Sequence, residues 1–150
     1  MDDITMIAEG LKALNNAAVD LITKGEYDGA EKMFGTIEST YRMIGYGEGI
    51  SLVRTSMANL SAIRGDLIGS LSHLEIATEN AGDNIGTVNE MRRKISLAAL
   101  EIGIGKENDG DLVGALELFT KILPNLNEKR AEAVAAEIEN IKRHLTEEGT

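Results

Sequence analysis

GEYDGA at residues 25–30 recurs in altered form as GDLIGS at 65–70 and as GDLVGA at 110–115. Each copy holds a glycine, an acid, a large apolar residue and, five positions after the glycine, a small residue. Glycine readily adopts the left-handed conformation that ends a helix, and an acid suits the positive N-terminal end of the next one. The three copies therefore predict three places where the chain turns from one helix into another.

The similarity continues beyond each turn. The slots nine and twelve positions after the turn glycine are occupied by Phe34, Leu74 and Phe119, and then by Ile37, Ala77 and Ile122. Both phenylalanines of the chain thus stand in equivalent slots, and the turn glycines are 40 and 45 residues apart. Such self-similarity is typical of repeated helical units, which bury their apolar faces by stacking on their neighbours.

Apolar residues recur at three- and four-residue steps along most of the chain, and no segment shows sustained alternation. The chain has one proline, which permits a nearly all-helical fold. We therefore predict an all-α protein. Its expected helices cover residues 4–22, 27–43, 50–63, 67–79, 88–102, 112–123 and 128–145.

The sixteen glycines are expected to have two roles. Most lie between the predicted helices, and segments 44–49 and 103–109 are predicted to interrupt the helical pattern. The others lie inside predicted helices, where small residues allow close helix packing. This second group comprises Gly10, Gly29, Gly35, Gly69, Gly86 and Gly114.

The repeat resembles the tetratricopeptide repeat family, in its longer variant of about 40 residues. Ala18 and Leu21 match the glycine and tyrosine places of the family's Leu-Gly-x-x-Tyr core, and the later copies fit less closely. The resemblance implies antiparallel helical hairpins stacked as a short right-handed superhelix. It predicts one domain over 1–150, with repeats at 4–44, 49–81 and 84–124 and a capping helix at 128–146.

The resemblance also implies a binding surface. Members of the family bind extended peptides along a concave face made by the first helix of each pair. An asparagine can hold a peptide backbone there because its amide both donates and accepts hydrogen bonds. The residues placed near this face are Lys12, Asn15, Asn16, Val19, Ser56, Asn59, Arg93 and Leu97.

Composition narrows the possible partners. The formal net charge is −10, and nucleic-acid or lipid-headgroup binding depends on clustered Lys and Arg, so neither partner is expected. The absence of cysteine excludes disulfides, thiolate catalysis and thiolate zinc sites. The acidic N-terminus MDDITMIAEG lacks the pattern of a secretory signal, and we expect a soluble cytoplasmic protein.

No catalytic or metal-binding motif stands out, so we expect neither catalysis nor a cofactor. His73 and His144 lack the Glu three residues before them that a carboxylate bundle would need. The GYGEG string at 45–49 follows a helix and contains no lysine, which favours a turn over a phosphate site. The basic run at 92–94 suits either a solvated helix face or an anchor for a carboxylate.

These observations favour a non-catalytic module that binds another protein or a peptide. Two alternatives stay open: a small regulatory domain that senses a peptide or other ligand, and a structural subunit that associates with itself. In the second, Leu52, Leu97 and Leu100 would contribute to a homodimer contact.

Overall fold

The computed structural model of the protein describes residues 2–148. Its α-helices are α1 (Asp3–Thr23), α2 (Tyr27–Met43), α3 (Gly47–Ile63), α4 (Leu67–Glu79), α5 (Ile85–Asn108), α6 (Leu112–Ile122) and α7 (Glu128–Glu148). Short 3₁₀ helices cover Gly82–Asn84 and Leu123–Asn125, and residues 2–148 contain no strand. The predicted all-α fold is therefore confirmed. None of the described helices is both long and apolar enough to cross a membrane.

The turns predicted from the repeat form as expected. Gly25, Gly65 and Gly110 have φ angles of 78°, 85° and 89°, which non-glycine residues adopt only under strain. In the second and third copies the acid after the glycine caps the next helix: the carboxylates of Asp66 and Asp111 accept the amides three residues further on, at 2.8 and 2.9 Å. In the first copy the acid is Glu26, whose side chain makes no such bond.

The equivalent slots of the three copies are all core positions. The small residues five after the glycine and the large ones nine after it are at most 2% exposed: Ala30, Ser70 and Ala115, then Phe34, Leu74 and Phe119. The slots twelve after the glycine are equally buried. The equivalent slots of the repeat therefore identify the side of α2, α4 and α6 that faces the interior.

The chain forms two compact units, Met1–Met91 and Arg92–Thr150. In the first unit α1 packs against α2 and α3, and α3 also packs against α2 and α4. The core between α1, α2 and α3 includes Leu11, Ala18, Phe34, Tyr41 and Val53. In the second unit α6 packs against α7, and Gly103 of α5 lies beside the Phe119 ring of α6.

The predicted interruption of the helices at residues 44–49 is longer than the one in the structure. The chain turns only at residues 44–46, and α3 begins at Gly47, two residues before the start assigned to the second repeat. Gly49 lies in the first turn of α3 against the fully buried ring of Tyr41, and a Cβ at this position would overlap that ring. Close contact between helices, and not a turn, accounts for this glycine.

Segment 103–109 was likewise assigned to a break, yet α5 continues to Asn108. Residues 103–108 are helical, and only residues 109–111 separate α5 from α6. A Cβ on Gly103 would lie 2.6 Å from Cε1 of Phe119, so this glycine allows α5 and α6 to approach each other.

The prediction that the glycines inside helices mark close packing is wrong for three of them. A Cβ on Gly10, Gly35 or Gly86 would meet nothing within 4 Å. At Gly69 and Gly114 a Cβ would first meet the carboxylates of Asp66 and Asp111, which cap the same helix, so the nearest contacts of these two glycines are not with another helix either. Spacing alone does not separate these roles, because what surrounds a glycine depends on the neighbouring helix.

Candidate functional site

The predicted binding residues of α1 lie at different depths. Lys12 and Asn16 are exposed, and Val19 is half-buried against the core. Their spacing of four and three residues places all three on one face of the helix. Asn15 turns towards the interior and is 2% exposed, although the resemblance placed it on the binding face.

Asn15 joins α1 to α3. Its Nδ2 donates to Oγ of Ser56 at 3.1 Å, while its buried Oδ1 has no hydrogen-bond partner among the described residues. Ser56 in turn donates to the carbonyl of Leu52, one turn earlier in α3. Asn59 follows Ser56 by three residues on the same helix face and is half-buried. The hydrogen bond brings Asn15 and Ser56 together in the first unit, and we call the predicted residues of α1 and α3 the α1–α3 face.

Arg93 and Leu97 lie on α5 within the second unit, where Arg93 is exposed and Leu97 is half-buried. Their assignment to the same binding surface stays a prediction.

A charged network occupies a different side of α3. Arg54 precedes Ser56 by two residues, so the two side chains point away from each other. The Arg54 guanidinium makes a bidentate ion pair with the Glu38 carboxylate of α2. Its Nη1 lies 2.9 Å from Nδ1 of His73 on α4. Three helices of the first unit are therefore connected through one arginine, and no sequence motif indicates this connection.

The surroundings of His73 favour its neutral form. Arginine only donates hydrogen bonds, so Nδ1 of His73 must accept and the ring is neutral. Burial, and secondly the adjacent Arg54 charge, lower the pKa of His73. A cavity of about 330 Å³ adjoins the network and is also lined by Arg64, Glu31 and Asp66. Arg64 forms ion pairs with Asp28 and Glu31 at 2.9 and 3.2 Å. Both arginines that line this cavity are therefore already paired with carboxylates of the protein.

The second unit contains a more open cavity, of about 360 Å³, which we call the α5–α7 groove. Its apolar lining comes from α5, α6 and α7 and consists of Leu100, Ile104, Phe119, Ala133 and Val134. Its polar lining consists of Glu107, Asn108, Arg130 and Glu137. Two carboxyl groups thus face an apolar groove from different helices.

Glu107 and Glu137 both line this groove, and a hydrogen bond between their side chains requires a proton on one of the two carboxyl groups. This bond, then burial and the charge of Glu137, raise the pKa of Glu107 to about 7. His144 acts in the opposite direction without cancelling the shift. This pair has no signal in the sequence, because the two residues are thirty positions apart and neither belongs to a motif.

The carboxyl pair should make stability depend on pH. Because the pKa of Glu107 is raised on folding, its favourable contribution is complete below the ordinary glutamate range and is lost as the pH rises through about 7. Between pH 5 and pH 8 we expect the wild type to lose more thermal stability than Glu107→Gln, whose amide can donate without titrating. Circular dichroism melts at both pH values, with the exposed Glu101→Gln as control, measure the difference. Equal pH dependence in all three proteins would contradict this account.

Comparisons with known proteins assign no relative: no protein-family model matches the chain, and the search of curated proteins finds no match. The resemblance to tetratricopeptide repeats therefore depends on the spacing of the three copies alone. The function of the protein has to be argued from its own surfaces.

Proposed function

We propose that the protein is a non-catalytic cytoplasmic module that binds an extended peptide along the α1–α3 face, with its hairpins stacked in the manner of tetratricopeptide repeats. The observation that carries the proposal is the Asn15 to Ser56 hydrogen bond. It connects α1 directly to α3, which supports a common face for the polar side chains beside it.

The side chains on this face suit a peptide backbone. Asn16 and Asn59 each offer a donor and an acceptor, and Lys12 adds a cation that can pair with an acidic side chain. Val19 adds apolar surface and is half-buried against the core. Backbone amides and carbonyls are the same in every peptide, so the two asparagines support binding to the peptide backbone. Contacts with the side chains of the peptide then determine which peptides bind best.

The test begins with selection of peptides from a display library against the full chain. We expect at least one selected peptide to bind the wild type and to bind Asn16→Ala/Asn59→Ala about 10- to 30-fold more weakly, since each lost hydrogen bond is worth about 1 kcal/mol. Isothermal titration calorimetry measures the two dissociation constants.

A matched control uses Lys32→Ala/Ser39→Ala, which removes two exposed polar side chains from α2 instead. This variant should keep the wild-type affinity, and both double variants should keep the helical circular dichroism of the wild type. A library that yields no binder, or a binder whose affinity the asparagine changes leave intact, would contradict the proposed face.

A further inference from the structure

The α5–α7 groove has an apolar floor between two charged ends. The apolar side chains that line it come from α5, α6 and α7: Leu100, Ile104, Phe119, Ala133 and Val134. Ile104 remains 47% exposed, so apolar surface in the groove is in contact with water. An aliphatic chain placed there would gain about 25 cal/mol for each Å² of apolar surface removed from water.

One end of the groove is acidic. Glu107 of α5 and Glu137 of α7 both line the groove, and the Glu137 carboxyl group raises the pKa of Glu107. Two carboxylates held together repel each other unless a proton or a cation lies between them. An ammonium group can replace the shared proton, because it donates up to three hydrogen bonds and neutralises the repulsion at the same time.

The other end is basic. Arg130 lines the same groove and precedes Glu137 by seven residues in α7, which corresponds to about 10 Å of helix rise. Arg130 also lies in the first turn of α7, where the helix dipole favours an anion, and its own amide is already bonded to Asn127. A guanidinium group at this position suits a carboxylate.

We propose that the α5–α7 groove binds a zwitterion whose ammonium and carboxylate groups are joined by an aliphatic chain, as in the C-terminal lysine residue of a peptide. The ammonium lies against Glu107 and Glu137, the aliphatic chain covers the apolar floor, and the carboxylate pairs with Arg130. An α-amino acid such as glycine, which carries both charges on one carbon, does not reach the two ends. This site lies wholly within the second unit and does not depend on the proposed α1–α3 face.

The probe is 6-aminohexanoate, with hexylamine, hexanoate and glycine as comparison compounds. In methyl-labelled full-length protein we expect 6-aminohexanoate to cause saturable NMR shift changes at Leu100, Ile104 and Val134. Hexylamine and hexanoate each lack one charge-assisted hydrogen bond and should bind about 10-fold more weakly. Glycine should cause no shift changes in the groove.

Variants test each end separately. Glu137→Gln should weaken 6-aminohexanoate binding about 10-fold, whereas Glu139→Gln, on an exposed part of the same helix, should leave it unchanged. Arg130→Met should remove the preference for 6-aminohexanoate over hexylamine, and Lys129→Met should keep it. A peptide ending in lysine should shift the same methyl groups, and its C-terminal amide should bind more weakly.

Binding should also become stronger from pH 6 to pH 8, as Glu107 loses its proton. The other charged groups near it are Glu137, Arg130 and His144 of α7 and Lys106 of α5, whose ammonium bonds Asp111 at 3.3 Å. The α6 contribution to the groove is the uncharged Phe119. The proposal is overturned if 6-aminohexanoate causes no saturable shifts in the groove, if hexanoate binds as well as the zwitterion, or if Glu137→Gln leaves the affinity unchanged.

Discussion

Replacing Gly49 with alanine is expected to lower the free energy of unfolding by about 3 kcal/mol, at the upper end of what overpacking costs. The added methyl would overlap the ring of Tyr41, which has no exposed surface. The ring has little freedom to move, because its hydroxyl donates to the Ala8 carbonyl at 3.4 Å and its face neighbours Tyr46 at a centroid distance of 5.8 Å. Urea denaturation followed by circular dichroism measures the loss.

Gly35→Ala is the matched control for this change. Gly35 lies inside α2, and a Cβ there would meet nothing within 4 Å. Alanine should therefore raise the free energy of unfolding by about 0.5 to 1 kcal/mol through its better helix propensity. If Gly49→Ala proved as stable as Gly35→Ala, the close approach of α3 to Tyr41 would be refuted.

Phe34→Ala should cost about 4 kcal/mol, because it removes a fully buried aromatic ring and leaves a cavity between helices. Phe34→Leu should cost less than about 1.5 kcal/mol, since it keeps most of the apolar volume. The repeat itself suggests this second change, because Leu74 occupies the equivalent buried slot in the next copy.

Urea unfolding of the two variants compares them directly. Phe34→Met, whose side chain is unbranched and close to leucine in volume, should resemble Phe34→Leu if retained volume is what matters. A loss with Phe34→Leu as large as that with Phe34→Ala would show that the slot requires an aromatic ring and that the copies are not equivalent there.

Much of the fold could be predicted from the recurring segments. Residues at equal offsets from the turn glycines are buried in all three copies, since a helix after each turn presents the same face to its neighbours. The bounds of α2 and α4 also match the prediction. Turn chemistry and helical periodicity are local properties, which explains why a single sequence revealed them.

The wrongly predicted helix ends have a common cause. Gly49 and Gly103 were interpreted as helix breakers because glycine is a poor helix former. Each instead lies in a helix against an aromatic ring from another helix, Tyr41 in one case and Phe119 in the other. Local propensity does not reveal such contacts, which depend on residues distant in sequence.

The candidate sites were predicted less well for the same reason. Asn15 and Asn16 are adjacent and identical in type, yet one is buried beneath Ser56 and the other is exposed. The pairing of Glu107 with Glu137 depends on how α5 and α7 approach each other. Spacing identified the helices that carry these residues, but only the packed structure identifies their partners.

The capping aspartates have a consequence for how mutations combine. The Asp66 carboxylate occupies the space that a Cβ on Gly69 would need, so alanine at 69 would push away the group that caps α4. Once Asp66 is itself replaced by alanine, that penalty disappears and Gly69→Ala improves the helix. The two substitutions are therefore non-additive, with the double variant more stable than the sum of the single effects. Gly29 lacks this coupling, because the Glu26 side chain does not occupy the space that a Cβ on Gly29 would need. In the first copy, the effect of replacing Gly29 on stability should therefore not depend on whether Glu26 is also replaced.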